Sequence, residues 1–270
     1  LALAVTAPFF WTPERQGLLQ TAFLVLAVAD PLGTAFGRRA PQSRRLVPAS
    51  GSAKSWDGLA AVAVGAGVAG AVGAHVFIGS AGPAAAGSPW TIGVALALLV
   101  PAVELLGARG WDNLFVVVAA GTALLLLGPA GGSASSVFLA GAAAAAFGLG
   151  AHRAGWLDTY GSVAGALFAA SLLAIGGASW TVPALVFFVG SSLLSRGPSS
   201  RRTAAQVYAN GGWAWALLVG HLWMPHPAWL AGFLGALAAA TADTWSAEIG
   251  PGLRDRPVHV WTGRRVPKGT

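Results

Sequence analysis

Residues 59–80 read LAAVAVGAGVAGAVGAHVFIGS, a run of 22 residues that contains no Lys, Arg, Asp or Glu. An α-helix crosses the hydrocarbon core of a bilayer with about 20 consecutive apolar residues. The run therefore predicts a membrane-spanning helix. Within it, GAGVAG at 65–70 matches the dinucleotide-binding fingerprint, but neither a preceding strand nor a downstream acid completes such a site. We expect these small residues to pack against a neighbouring helix.

Eight further apolar runs lie on either side of this one. Together the nine runs are 16–36, 59–80, 91–107, 114–128, 136–150, 159–176, 180–194, 207–223 and 228–249. Several are shorter than the length that a bilayer requires, so some helices should be short, broken or re-entrant. The predicted fold is an all-α, polytopic membrane helix bundle with about nine transmembrane helices.

The basic residues occupy every second gap between the runs. Fifteen of the sixteen Lys and Arg residues fall in five gaps, and only Arg15 lies elsewhere. These gaps are 37–54, 108–113, 151–158, 195–206 and 250–270. Because cytoplasmic loops of membrane proteins carry the excess of Lys and Arg, we expect these five loops to be cytoplasmic and to carry the activity. We expect the membrane to be the cell membrane of a prokaryote.

The composition excludes other classes of protein. A chain with 55% hydrophobic and 9% charged residues lacks the polar surface of a water-soluble globule of this size. The net charge of +7 does not indicate nucleic-acid binding, because it is spread over five short loops and topology explains it. The absence of Cys excludes disulfides and thiolate metal sites.

A first cluster of charged residues surrounds the end of the first run. Asp30 lies within the run, Gly37, Arg38 and Arg39 follow it, and Lys54 comes after a polar loop. A carboxylate for Mg²⁺, cations for phosphate oxygens and a glycine that admits a ligand are what a metal-bound polyphosphate requires. An ordinary helix end flanked by topology-setting charges explains the same residues, and the pattern leaves both interpretations open.

A second cluster lies at the end of the last run. Asp243 and Glu248 follow a stretch of small apolar residues, and Arg264, Arg265 and Lys268 come next. A charged side chain at mid-membrane costs about 2.5–3.5 kcal/mol, so acids in such a run indicate a function. The two carboxylates are near enough along a helix to share one cation, although five residues is not the ideal spacing.

Two smaller groups complete the candidates. Glu104 and Asp112 should lie near the face of the first cluster. Asn210, Gly211 and Gly212 open the eighth run and offer contacts for ribose, base or phosphate. Helix capping explains this last group as well.

The first half of the chain resembles a known group of lipid enzymes. The segments DPLG at 30–33, GRR at 37–39 and KSWDG at 54–58 resemble the motif shared by phytol kinase, dolichol kinase and the CTP-using phosphatidate cytidylyltransferases. VEL at 103–105 and GWDNL at 110–114 resemble a later phytol kinase segment. Asp57 stands where the family usually carries Glu, so the charge is kept but its reach shortens by about one C–C bond.

The second half resembles the membrane family that includes plant phytyl-phosphate kinase. Four separated motifs occur in the family's order: RAGWLD at 153–158, SSLLSR at 191–196, NGG at 210–212 with its preceding QV, and the segment 242–270. The family's usual continuation is cut off here, and we expect the first half to lack N-terminal helices of its own family. We therefore expect a longer protein.

These resemblances imply two sequential enzymes in one chain. Residues 1–130 would form a kinase for an isoprenoid alcohol and residues 131–270 a kinase for its monophosphate, with the join near 128–133. Both would use CTP as phosphoryl donor with Mg²⁺, in contact with the lipid bilayer. The implied catalytic residues are Asp30, Lys54, Asp57, Asp243 and Glu248. The implied Mg²⁺ ligands are Asp30, Glu104, Asp112, Asp243 and Glu248. The implied nucleotide- and phosphate-binding residues are Gly37, Arg38, Arg39, Ser55, Asn210, Gly211, Arg264, Arg265 and Lys268.

Two other functions remain open on the sequence. A CTP-dependent lipid cytidylyltransferase would share the same residues and differ in releasing pyrophosphate. A cation- or proton-coupled transporter would also carry intramembrane acids, but it favours acids near mid-membrane, whereas here they gather at one face beside Arg and Lys. A purely structural scaffold would not explain the cost of these acids.

Overall fold

The computed structural model describes residues 2–10, 12–42, 45–46, 54–78, 88–107, 111–128, 133–195, 201–250, 257–259 and 261–267. Ten helices account for most of this part of the chain. They are α1 (Ala2–Phe10), α2 (Pro13–Arg39), α3 (Trp56–Gly73), α4 (Pro89–Leu106), α5 (Asp112–Leu127), α6 (Ala134–Arg153), α7 (Thr159–Ser171), α8 (Ala178–Leu194), α9 (Ala204–Trp223) and α10 (Ala228–Ile249). The prediction of an all-α, polytopic membrane bundle is confirmed.

Each of the nine predicted runs corresponds to one helix from α2 to α10. Five helical segments in the described part are long and apolar enough to cross a membrane, and two apolar helices, Asp112–Leu127 and Ala178–Leu194, are shorter. The five are Arg15–Arg39, Trp56–Ile78, Pro89–Leu106, Ala134–Arg153 and Thr159–Gly176. α9 and α10 are long enough, but polar side chains such as Asn210 and Asp243 interrupt their apolar sequence.

Two spans change their helical winding before they end. α3 continues as a π-helical turn over Ala74–Ile78, and α7 continues in the same way over Leu172–Gly176. Such turns interrupt the regular hydrogen-bond ladder, which agrees with the expectation of irregular spans. After α7, Gly177 adopts a φ of 63°, a conformation that glycine reaches without strain, and α8 begins at once.

The glycine-rich segment of α3 serves helix packing, as predicted. A Cβ on Gly65 would lie 3.2 Å from the Cα of Ala29 in α2, and one on Gly70 would lie 2.5 Å from Leu96 in α4. Small residues on two faces of α3 thus let the neighbouring helices approach closely. Residues 65–70 lie inside α3 and do not form a dinucleotide-binding loop.

The buried apolar side chains form two clusters along the chain. One joins α1 to α5, and the other joins α7 to α10. Trp223, at the end of α9, belongs to the first cluster, where its rings pack against Phe9 and Phe10 and its indole N–H donates to Thr122. Residues 129–132, where we predict the join of two enzymes, lie outside the described part, and that division stays a prediction.

A short helix absent from the sequence prediction closes the end of the bundle away from the basic loops. α1 places Phe10 in the first cluster, and Arg15 in α2 donates to the carbonyl oxygens of Phe9 and Trp223. A cation at the C-terminal end of a helix satisfies carbonyls that have no partner in the helix itself. Arg15, which the charge pattern left unexplained, therefore ties α1 and α2 to α9.

Candidate functional site

The first candidate site lies where four membrane helices and a short hairpin meet. The C-terminal ends of α2 and α4 and the N-terminal ends of α3 and α5 lie at one end of the bundle, which we call the basic end. β1 (Arg45–Leu46) pairs antiparallel with β2 (Lys54–Ser55), and β2 leads directly into α3. The hairpin thus places Lys54 at the basic end, beside the ends of the four helices.

Lys54 forms ion pairs with two acids from different helices. Its ammonium group contacts the carboxylate of Glu104 at the end of α4, and its Nζ lies 3.7 Å from Oδ2 of Asp112 at the start of α5. The three side chains are 14%, 13% and 21% exposed, so water screens these charges only partly. Asp30 in α2 is half-buried and interacts electrostatically with Glu104. The structure therefore brings Lys54, Glu104 and Asp112 into contact, while Asp30, nine residues inside α2, acts on Glu104 only through its charge.

Other predicted residues of the first half have local structural partners. Ser55 is buried and caps α3, because its hydroxyl accepts a hydrogen bond from the backbone N–H of Gly58 at 3.1 Å. A Cβ on Gly37 would lie 3.4 Å from Oγ of Ser55, so this glycine lies against the α3 N-terminus. Arg38 and Arg39 are exposed in the last turn of α2, where cations suit the helix dipole.

Asp57 lies in the first turn of α3 and is half-buried. An acid in the first turn of a helix is stabilised by the helix dipole. This placement keeps the carboxylate two residues from the Ser55 cap, at the same end of the bundle as Lys54.

The second half carries a polar network that links three elements at the basic end. The hydroxyl of Ser195, just after α8, donates to Oε1 of Glu248 at 2.6 Å, near the end of α10. Arg202, just before α9, donates to Ser192 at 2.8 Å and to Ser195 at 3.2 Å. The half-buried guanidinium of Arg202 thus donates to two hydroxyl groups. One of them, the hydroxyl of Ser195, donates in turn to the Glu248 carboxylate.

The backbone around Arg202 fixes its position. Its N–H donates to the carbonyl of Trp156 at 2.9 Å, and its carbonyl accepts from the N–H of Asp158 at 3.1 Å. Thr203 and Gln206 then form a capping box that starts α9. Burial lowers the pKa of the Arg202 guanidinium from its ordinary value, and the nearby Glu248 carboxylate opposes that shift.

Arg202 is the residue that sequence reasoning missed. The sequence counted it only among the loop charges, because its hydroxyl partners lie near and just after the end of α8, 10 and 7 residues earlier in the chain. The capping box directly after it was a usable signal, since a fixed helix start fixes the residue that precedes it. For Gln206, helix capping is the role that the structure displays.

A groove runs between α9 and α10 and contains two of the predicted residues. It has a volume of about 520 Å³ and is open along the side of the bundle. Asn210 and Asp243 provide its polar groups. Its other lining residues are Ala209, Trp213, Leu217, Ala236, Ala239 and Ala240.

Asp243 and Glu248 have different neighbours. Five residues of α-helix turn the side chain by about 140° around the axis. Asp243 accordingly lines the groove beside α9, whereas Glu248 accepts the hydrogen bond from Ser195 after α8. Trp245 faces α8 as well, where its indole N–H donates to Ser191 at 2.9 Å. The structure does not bring the two acids to one point.

Three further predicted residues, Gly211, Arg264 and Arg265, do not line the groove. Gly211 is buried against α7, since a Cβ there would lie 3.0 Å from the ring of Phe168. Arg264 and Arg265 are exposed on a hairpin in which Val258 pairs with Arg265 and Gly263 takes a φ of 65°. Lys268 lies outside the described residues.

The acids at the two sites are candidate ligands for a metal ion. Within the described ranges, no group of three or more His, Asp or Glu side chains is arranged to hold a metal ion. Mg²⁺ in phosphoryl-transfer enzymes commonly uses one or two carboxylates and completes its shell with substrate phosphates and water. Asp30 with Glu104 and Asp112, and Asp243 with the Asn210 amide oxygen, provide such partial sets.

Long apolar helices and charged side chains gathered at helix ends define this chain as a polytopic integral membrane protein. Residues 142–270, from within α6 to the last residue, match the family model described as integral membrane protein DUF92. The matched region contains both the Arg202 network and the groove. No curated protein and no solved structure matches the chain.

Proposed function

We propose that this protein is an integral membrane isoprenoid lipid kinase. Its first half phosphorylates a polyprenyl or phytyl alcohol, and its second half phosphorylates the resulting monophosphate. CTP is the phosphoryl donor for both reactions, which take place at the basic end on the cytoplasmic face. The resemblances of the two halves to isoprenoid kinases motivate the substrate assignment.

One observation carries the proposal: charged residues of both halves lie at the same end of an otherwise apolar bundle, beside helices that face lipid. In the first half, Lys54 lies among Asp30, Glu104 and Asp112. In the second half, Asp243 and Asn210 occupy the polar end of an open apolar groove. A lipid substrate needs this combination, because its chain stays in the bilayer while its polar end meets charge at the surface.

In the first reaction the alcohol oxygen attacks the γ-phosphorus of the nucleotide in line. A bond forms between that oxygen and phosphorus, the bond to the β–γ bridging oxygen breaks, and a nucleoside diphosphate leaves. We assign the alcohol proton to the Asp57 carboxylate. Lys54 exchanges its carboxylate partners for phosphate oxygens, while Arg38 and Arg39 hold the outer phosphates.

In the second reaction the attacking atom is an oxygen of the lipid monophosphate. No alcohol proton has to be removed, so the site needs chiefly position and charge. Asp243 and the Asn210 amide oxygen would hold Mg²⁺, whose positive charge would offset that of the transferred phosphoryl group. Glu248 accepts from Ser195, which accepts from Arg202, and these bonds hold the ends of α8 and α10 against the start of α9. The negative charge of the phosphates is neutralised by Arg264, Arg265 and Lys268.

The location of the acids favours a lipid kinase over a transporter. A proton or cation relay requires ionisable groups near mid-membrane. In the described part of the chain, Glu104 lies two residues from the end of α4, Asp112 begins α5, and Glu248 is one residue from the end of α10. Asp30 and Asp243 lie nine and six residues inside α2 and α10, on the side of the basic end. Lys54 and Arg202 lie beside these acids, as phosphate chemistry requires.

The test is an assay of the protein in liposomes with Mg²⁺ and CTP labelled in the γ-phosphate. Phytol and phytyl monophosphate are supplied separately, and the lipid products are separated by chromatography. Label in phytyl monophosphate or diphosphate together with release of CDP supports the proposal and identifies the active half. Release of pyrophosphate instead would make the protein a cytidylyltransferase, and no labelled lipid from a folded protein would overturn the kinase assignment.

A further inference from the structure

Lys54 occupies the position where the carboxylates of Glu104 and Asp112 meet. Its ammonium group contacts Oε1 of Glu104, and its Nζ lies 3.7 Å from Oδ2 of Asp112. The three side chains are largely shielded from water, so their charges interact more strongly than charges on an open surface. The carboxylate oxygens that a divalent cation needs are therefore in contact with a cation of the chain itself.

The backbone fixes the two acids independently of Lys54. Gly107 caps the end of α4, where its N–H donates to the carbonyl oxygen of Val103 at 3.0 Å. A Cβ on Gly107 would lie 2.5 Å from the Cβ of Asp112, so the missing side chain lets the start of α5 approach the end of α4. Oδ1 of Asp112 accepts a hydrogen bond from the N–H of Asn113 at 3.1 Å, while Oδ2 faces Lys54. The acids therefore keep their positions when the ammonium group leaves.

Lys54 can leave the acids without a change in the main chain. The residue pairs with Leu46 in the hairpin, and the next residue, Ser55, caps α3. The ammonium group ends a flexible four-carbon stem and carries three rotatable donors. Rotation about the side-chain bonds is enough to move it from the carboxylates to another anion.

The charges at this site favour a divalent cation once the ammonium group has moved. Asp30 acts on Glu104 through its charge, so three carboxylates and one ammonium group carry a net charge of −2 when all are ionised. Mg²⁺ prefers oxygen ligands and commonly uses one or two carboxylates. An ammonium group and a divalent cation cannot both contact the same oxygens, because like charges about 4 Å apart repel strongly in a shielded site.

We propose that Lys54 blocks the carboxylate pair of Glu104 and Asp112 in the free protein and releases it when a nucleotide polyphosphate binds the ammonium group. The divalent cation and the nucleotide then enter together. The polyphosphate is a suitable trigger, because it offers the ammonium group several anionic oxygens at once. This inference describes the regulation of the site in the first half and rests on the function proposed for that half.

The block is tested by the binding of Mn²⁺ to the full chain in micelles without nucleotide. Mn²⁺ takes the same oxygen ligands as Mg²⁺, and the loss of its free electron paramagnetic resonance signal reports binding. Lys54→Gln should bind Mn²⁺ about tenfold more tightly than the wild-type protein, or better, because the competing charge is gone. Adding Glu104→Gln should remove that gain, and Lys54→Arg should show none. Lys54→Met is a second neutral variant if Lys54→Gln does not fold.

Arg38→Gln is the matched control, because it removes an exposed cation at the same end of the bundle that does not contact these acids. Its Mn²⁺ affinity should change by less than about twofold, since charges in water are screened. A Lys54→Gln variant with the wild-type affinity would overturn the proposal. An equal gain in Arg38→Gln would also overturn it, because general charge and not contact would then govern binding.

The release is tested separately, because Lys54 and Lys268 are the two lysines of the sequence. After reductive methylation with ¹³C-formaldehyde, the nuclear magnetic resonance signal of Lys54 is assigned by its loss in Lys54→Arg. Saturating CTP in the presence of EDTA should shift this signal. A signal that does not move would overturn the proposed release.

These outcomes are distinct from those of the kinase assay. If labelled phytyl monophosphate forms but Lys54→Gln gains no Mn²⁺ affinity, the proposed function stands and the block by Lys54 is wrong. If the affinity rises as expected but no lipid is labelled, Lys54 blocks a cation site in a protein that is not a phytol kinase.

Discussion

Phe115 and Tyr208 stack almost parallel, with ring centroids 6.4 Å apart and an angle of 6° between their planes. Phe115 belongs to α5 in the first half, and Tyr208 belongs to α9 in the second. The stack continues on one side to Trp111, next to Asp112, and on the other to Trp215. A file of aromatic rings thus connects the neighbourhood of Lys54 with the helix that carries Asn210.

Phe115→Ala and Tyr208→Ala should show a positive coupling in a double-mutant cycle. Aromatic pairs of this geometry contribute about 0.5–1.5 kcal/mol beyond the area that they bury. The cycle is measured as the shift of denaturant-induced unfolding in micelles. Phe115→Leu, which keeps an apolar side chain but removes the ring, serves as the matched control and should also lose the coupling. Additive single effects would show that the two rings do not stabilise one another.

Trp223→Ala should destabilise the protein strongly. The indole is 5% exposed, packs against Phe9 and Phe10, and donates to Thr122. Truncating a buried Trp costs about 3–5 kcal/mol through lost contacts and a residual cavity. Trp90→Ala is the control, because Trp90 is 79% exposed. Comparable unfolding midpoints for the two variants would contradict the position of Trp223 in the first apolar cluster.

Much of the fold follows from the sequence because the bilayer imposes a single length scale. A predominantly apolar run in a bilayer must satisfy its backbone internally as a helix, which is why the nine runs correspond to nine helices. α1 escaped prediction because a nine-residue helix containing Pro8 is too short to span a membrane. Its stability comes from tertiary contacts of Phe10 and Arg15, which no local pattern reveals.

The contacts of a site could be predicted only where the order of the membrane spans alone places two residues at neighbouring helix ends. Glu104 and Asp112 lie at adjacent helix ends on one face, so their meeting with Lys54 could be expected from the order of the spans. In the second half, the spacing of Asp243 and Glu248 along α10 led us to expect that they could share one cation. The two side chains instead have different neighbours. The position of Arg202 depends on hydrogen bonds to α8, which charge patterning does not encode.

Arg202→Lys should impair the second half even though it keeps the charge. The guanidinium donates to Ser192 and Ser195 from separate nitrogens, and an ammonium group cannot reproduce this forked geometry. Hydrogen bonds to a charged group contribute about 1.5–3 kcal/mol each, so unfolding should shift by at least one such amount. We expect phytyl monophosphate phosphorylation to fall while phytol phosphorylation is unchanged. Equal losses in both reactions would instead indicate general destabilisation.

Gly161→Ala should act on the same network from the backbone. A Cβ at this position would lie 2.2 Å from the carbonyl oxygen of Arg202, which already accepts the N–H of Asp158. Leu157 and Arg202 form an isolated parallel β-bridge. This bridge must then open, and Arg202 moves away from its hydroxyl partners. Gly141→Ala is the control, because its Cβ meets nothing within 4 Å and alanine favours a helix. Unfolding should occur earlier for the first variant, and unchanged or later for the second.

Lys54→Gln should be more harmful alone than in combination with Glu104→Gln. Removing the ammonium leaves the poorly exposed carboxylates of Glu104 and Asp112 near one another without a cation, which costs about 1–3 kcal/mol at such partly shielded positions. Neutralising Glu104 relieves that repulsion, so the double variant should regain stability in a denaturant titration. It should not regain phytol phosphorylation, because the proposed transfer requires both the cation for phosphate and the acid for Mg²⁺. Lys54→Arg, which keeps the positive charge, should retain stability. A double variant that is less stable than Lys54→Gln alone would contradict the ion pair that joins the hairpin to α4.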